Sequence, residues 1–121
     1  MEDFNPIINR MLLKLCKNVE NDFPPSSAEF PIITFTITQN SSHVVIENVE
    51  RLSSVTVQVD VWDNSRTRQK CEKLASDVSK LMLSVGFTRR SAVPIKENGL
   101  HRQSMTFVGV IDPVKMIIYT N

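Results

Sequence analysis

Val55-Thr56-Val57-Gln58-Val59-Asp60-Val61-Trp62, the polar break Asp63-Asn64-Ser65, and the helical pattern running to Gly86-Phe87 decide the fold. Valine at every second position marks a half-buried strand, because successive side chains point to opposite faces of a sheet. Thr56, Gln58 and Asp60 make the other face polar. Beyond the break, Cys71, Leu74, Ala75, Val78, Leu81, Met82 and Val85 recur in steps of three and one, a single stripe at 3.6 residues per turn. Strand and helix each offer one apolar face, and each needs the other to cover it.

Working outward, Asn5-Pro6 suits a helix start, with Asn as cap and Pro in the first helical position. Ile7, Ile8, Met11, Leu12, Leu15 and Val19 form the stripe of that helix, with Leu13 opposite. Phe23-Pro24-Pro25-Ser26-Ser27 is a loop, since paired prolines continue neither helix nor ladder. Pro31 to Thr38 reads as the first strand, Gln39 to Ser42 as a turn, and His43 to Glu47 as a short strand or extended loop. Arg51 to Trp62 is the second long strand, and the second helix is expected to start near Asn64 or Ser65 and to stop at Gly86. Phe87 to Ile95 is a strand that Pro94 assigns to a sheet edge or a loop tip. Asn98-Gly99 makes a tight hairpin into Leu100 to Ile111, and Asp112-Pro113 turns the chain into Met116 to Tyr119. The expected fold is α+β in one domain, 1–121. It is an antiparallel four- to five-stranded sheet with two α-helices packed on one face, in the order α-β-β-α-β-β-β.

At 121 residues the chain is long enough for one core without disulfide or metal staples. Cys16 and Cys71 lie far apart on apolar stripes with no ligand spacing near them, and His43 and His101 are solitary, so neither a metal nor a cofactor is expected. No apolar run approaches the roughly eighteen residues a bilayer requires. Met1-Glu2-Asp3 lacks the basic flank of a secretory signal, which implies a product retained in the cytoplasm. Net charge is only +1, but it is unevenly spread. Residues 1–50 hold three basic and seven acidic side chains; residues 51–121 hold eleven and six. Either the halves neutralise each other within one subunit, or opposite poles meet between subunits as a head-to-tail ring requires.

No catalytic motif is present. The three glycines stand ten or more residues apart and form no phosphate loop, and no nucleophile–base–orienter set appears. Asp60 and Asp63 beside Trp62 read as a strand-end feature rather than an acid–base pair. Arg89, Arg90, Lys96, His101 and Arg102 concentrate positive charge on the 87–102 hairpin. Such charge either protects an exposed edge, contacts phosphate or meets an acidic partner, and without interleaved aromatics for stacking nucleic-acid recognition is the weaker of the two functional readings. Leu13 and Leu83, each opposite its helix's buried stripe, are candidate contact residues together with Arg89, Arg90 and Arg102.

The sequence resembles the tail terminator (tail-completion, head–tail joining) proteins of long-tailed bacteriophages and prophages, from about Asn5 to the C-terminus. The residues that carry the resemblance are Pro31-Ile32, the strand Val57 to Trp62, Gly86-Phe87-Thr88-Arg89, the run Arg102 to Asp112 and the closing Ile117-Ile118-Tyr119-Thr120-Asn121. It implies a structural virion protein that caps the tail tube, stops its polymerisation and joins the tail to the head connector. It also implies a ring, usually a hexamer, through which DNA passes without sequence-specific binding, located at the tail–head junction after assembly in the host cytoplasm. Its partners would be further copies of itself, the tail-tube protein and the head-completion protein, with no membrane. The alternative is a small cytosolic α+β nucleic-acid-binding module using the 87–102 hairpin, which steep salt dependence would reveal.

Overall fold

The computed structural model describes residues 4–25, 27–46, 49–97, 99–112 and 117–119. Its elements are α1 (Asn5–Leu13), β1 (Val19–Asn21), β2 (Ile32–Ile46), β3 (Val49–Asp63), α2 (Gln69–Ser84), β4 (Thr88–Glu97), β5 (Leu100–Asp112) and β6 (Ile117–Tyr119). The strands form one sheet in the order β1-β2-β3-β5-β4, with β6 added to the end of β5. The fold is α+β with two helices, as expected.

Two expectations need correction. The sheet is mixed, because β1 runs parallel to β2 (Val19 opposite Ile33, Asn21 opposite Phe35), and the element order is therefore α-β-β-β-α-β-β-β. The stripe ending at Val19 misled because Val19 still packs against the core, but from a strand rather than a helix. α1 stops at Leu13 and the chain is re-aimed by Asn18, whose carbonyl accepts from Ile33 N–H at 3.0 Å and whose amide donates to Glu29 O at 3.2 Å. Nor is there a turn at Gln39–Ser42. β2 continues to Ile46 through register shifts after Ile37 and Ser42, irregularities that absorb the polar run without ending the strand.

Smaller boundaries also move. Phe4, itself buried, is the N-cap of α1 in place of Asn5, and its carbonyl accepts from Ile8 N–H. α2 begins at Gln69 rather than near Asn64, because the buried Asp63 carboxylate binds Ser65 N–H at 3.3 Å and holds the connection out of helix. Its C-terminus follows the sequence closely. Gly86 (φ 111°) donates to Leu83 O and Phe87 to Met82 O, the paired bonds of a Schellman stop. Gly99 has the positive φ (78°) expected of the hairpin turn, and Glu97 faces Leu100 across it. Asn98, Glu47, the Pro113 turn and Met116 lie outside the described residues.

The core lies on one face of the sheet. Val55, Val57, Val59 and Val61 of β3 are fully buried beneath Ile8, Met11 and Leu12 of α1 and Cys71, Ala75, Val78 and Met82 of α2, with Phe35, Met105 and Phe107 from the flanking strands. Hydrophobic burial of this kind supplies the main driving force, about 1.5–3 kcal/mol per large side chain removed from water. The helices thus occupy one side and leave the other side and both sheet edges for other uses.

Candidate assembly interface

The face away from the helices is only partly solvated. Near its centre Asp60 accepts from Arg102 Nε at 3.0 Å and Nη2 at 2.6 Å, both on Oδ2, with side-chain exposures of 5% and 16%. The Arg102 guanidinium lies 4.5 Å from the Trp62 ring centroid, and Trp62 Nε1 donates to Thr34 Oγ1 at 2.8 Å. Gln58 bridges Asp60 and Ser104 at 3.3–3.4 Å. The register explains the cluster: Trp62 faces Arg102, Asp60 faces Ser104 and Thr34 faces Asp60, so β2, β3 and β5 deliver these side chains to one surface. Charge, hydrogen bond and ring face satisfy one another there, which makes the cluster a clasp across three strands. Beside it a cavity of about 220 Å³ is rimmed by Asp22, Phe23, Thr34 and Thr36.

The candidate contact residues fall on separate surfaces. Leu13 (48% exposed) ends α1 and Leu83 (50%) lies in the last turn of α2, both on the helix side. Arg89 turns toward α2 and donates to Ser79 Oγ at 3.3 Å, at the wall of a groove of about 390 Å³ between α2 and β4. Arg90 is exposed where β4 shifts register between Arg89 and Ser91. Arg102 belongs to the clasp on the opposite face. Arg89 and Arg90 are therefore neighbours on one edge, whereas Arg102, Leu13 and Leu83 are not part of the same patch. His101 is buried beside the N-terminus of α2, with Nδ1 accepting from Arg68 and Nε2 donating to Arg66 O.

The sheet's two edges are unlike. β4 lies at one end of the strand order, ten residues long, and bears Arg89, Arg90 and Lys96. Its register shift, Pro94 and cations are devices that discourage indiscriminate strand addition, so contacts here run through side chains. At the other end β1 has three residues, with Glu20 and Asp22 exposed and Lys17 just before it. Neither acid is in an ion pair among the described residues.

Sequence reasoning missed Phe23 (70% exposed) and Val93 (49%), the two other large apolar side chains on the surface of the described residues. Phe23 beside two prolines in a loop with nothing to bury was the available signal; the role of Arg102 required the β3–β5 register. Cys71 sits against the Val61 and His101 carbonyls, and burial pushes its thiol above the ordinary value of 9.0, opposed in part by nearby Arg68. Among the described residues no group of His, Cys, Asp and Glu is placed to hold a metal, and no helix is long and apolar enough to cross a membrane. No protein-family model matches the chain, and no curated protein matches it.

Proposed function

We propose that the chain is a tail-terminator subunit: a structural protein that closes into a ring, caps the end of a phage tail tube, halts its growth and presents a surface to the head connector. The observation that carries this reading is the pair of unlike edges at opposite ends of the strand order, one bearing Arg89, Arg90 and Lys96 against Glu97, the other Glu20 and Asp22 against Lys17. A closed ring of more than two copies needs two different, complementary surfaces on each subunit, because a self-paired patch stops at a dimer. Opposite charges on opposite edges supply that asymmetry and also select the head-to-tail orientation. The sequence resemblance supplies the remainder: the hexameric ring, the passage for DNA, the tail-tube and head-completion partners, and the location at the tail–head junction.

The mechanism is geometric. One ring face matches the last tail-tube ring, and the other lacks what another tube ring needs. The nucleic-acid alternative draws less support, since Asp60 neutralises Arg102 and burial withdraws His101, leaving Arg89, Arg90 and Lys96 without an aromatic platform.

The test is tube growth. Tail-tube protein polymerising in the presence of the chain is expected to give shorter tubes with extra density at one end in electron micrographs. Unchanged tube length and bare ends contradict the proposal. Tight binding to mixed-sequence DNA that collapses between about 50 and 200 mM salt would favour the nucleic-acid module instead.

A further inference from the structure

Phe23 and Val93 stand at opposite edges of the sheet. A single cross-strand row runs Asn21, Phe35, Val59, Met105, Ala92, from β1 to β4. Val93 is one residue along from the β4 end of that row. Phe23 folds back at the β1 end, where its N–H bonds Asn21 O at 3.1 Å and its side chain rims the cavity with Thr34 and Thr36. Both side chains belong to the sheet face away from the helices, because Val93 lies opposite Ser104 and Ser104 shares the face of Asp60.

We infer that Phe23 of one copy packs on Val93 of the next, and that this pair, rather than Leu13 or Leu83, is the apolar centre of the ring contact. The inference rests on the ring reading above. Charge supports a second copy as the occupant: Glu20 and Asp22 flank Phe23, Arg90 flanks Val93, and none of the three is in an ion pair among the described residues. Aromatic side chains, phenylalanine among them, are also enriched at the centres of interfaces. The two prolines after Phe23 limit the freedom lost when it docks.

Cysteine cross-linking tests the contact. In a Cys16→Ser background, which removes the partly buried thiol, Phe23→Cys and Val93→Cys chains are oxidised separately and mixed. A disulfide needs Cβ atoms about 4 Å apart, so cross-links are expected only in the mixture. A chain carrying both substitutions is expected to give a ladder ending in one closed species. Phe23→Ser, in a loop and therefore folded, is expected to raise the concentration needed for assembly by about tenfold or more. Rings in micrographs without a 23–93 cross-link, and with Phe23→Ser assembling like wild type, overturn this contact while the terminator reading stands. Cross-linked rings that never cap a tube keep the contact and remove the terminator reading. Absence of self-association at every concentration, with tubes present, overturns both.

Discussion

A Cβ added at Gly109 would stand 2.6 Å from Cδ1 and 2.7 Å from Cε1 of Phe87, closer than real Cβ atoms approach. Phe87 follows the helix stop and fills the gap over β5 that glycine leaves, so helix end and central strand fit through one aromatic ring. Gly109→Ala is expected to lower stability by about 1–3 kcal/mol, as overpacking does, read as a lower urea midpoint; an unchanged midpoint would mean the ring moves freely. Arg102 gives a second residue-scale expectation. Arg102→Ala leaves Asp60 buried without its cation and should cost about 3 kcal/mol, while Arg90→Ala on the exposed edge should change stability by about 0.5 kcal/mol or less. Equal small effects would show that the clasp is solvated. Cys71 supplies the third. Its thiol is held protonated by burial, so thiol reagents at neutral pH should modify Cys16 first and Cys71 only on unfolding. The sign of the pH effect follows. Because the folded value is raised, the stabilisation is whole below 9.0 and fades as pH climbs above it, where the unfolded chain ionises first. Cys71→Ala should flatten that alkaline decline in the melting temperature; an identical decline in the variant would exclude this thiol as its source.

Among elements, β3 and α2 were legible in the sequence because period is a strong signal when one face is buried: Val55 to Val61 alternate, and the α2 stripe from Cys71 to Val85 supplies buried or part-buried core contacts. The Gly86 stop and the hairpin glycine were legible for a steric reason, since positive φ selects glycine. β1 was not. Three residues carry no period, and Leu15 to Val19 satisfies a helical step as well as it does a strand entry. The continuation of β2 through Gln39–Ser42 was hidden because a polar strand between register shifts has the composition of a turn. The candidate site was read less well than the fold. Arg89 and Arg90 share an edge, but Arg102 is drawn away by a register that sequence does not reveal, and Phe23 and Val93 gain meaning only once the two edges of the sheet are known. Val78→Asp, placing an unpaired charge under β3, should abolish soluble folding. A cooperatively melting variant would mean the α2 face is wrongly assigned. Amide exchange should be slowest in β3, paired on both sides, and faster at β4, whose strand pairing is with β5 alone among the described residues.

At the scale of the whole molecule, the helices close one side of the sheet, the clasp partly closes the other, and the two edges remain with unlike charge. On the proposed ring reading, such a subunit takes a neighbour on each side, because a simple pair would leave one edge of each copy uncovered. Each such contact would also cost association entropy, so the proposal allows a monomer in dilute solution and a ring at high concentration or on a tube end. The central claim is therefore head-to-tail closure through the β1 and β4 edges. The most direct measurement is light scattering with electron microscopy over a concentration series, with and without tail tubes, for wild type and Arg89→Glu/Arg90→Glu. The expected result is monomer at low concentration, closed rings of one size at high concentration or on tube ends, and loss of rings on charge reversal without loss of fold. Rings that survive the reversal, or a wild-type protein that forms none even with tubes present, would contradict it.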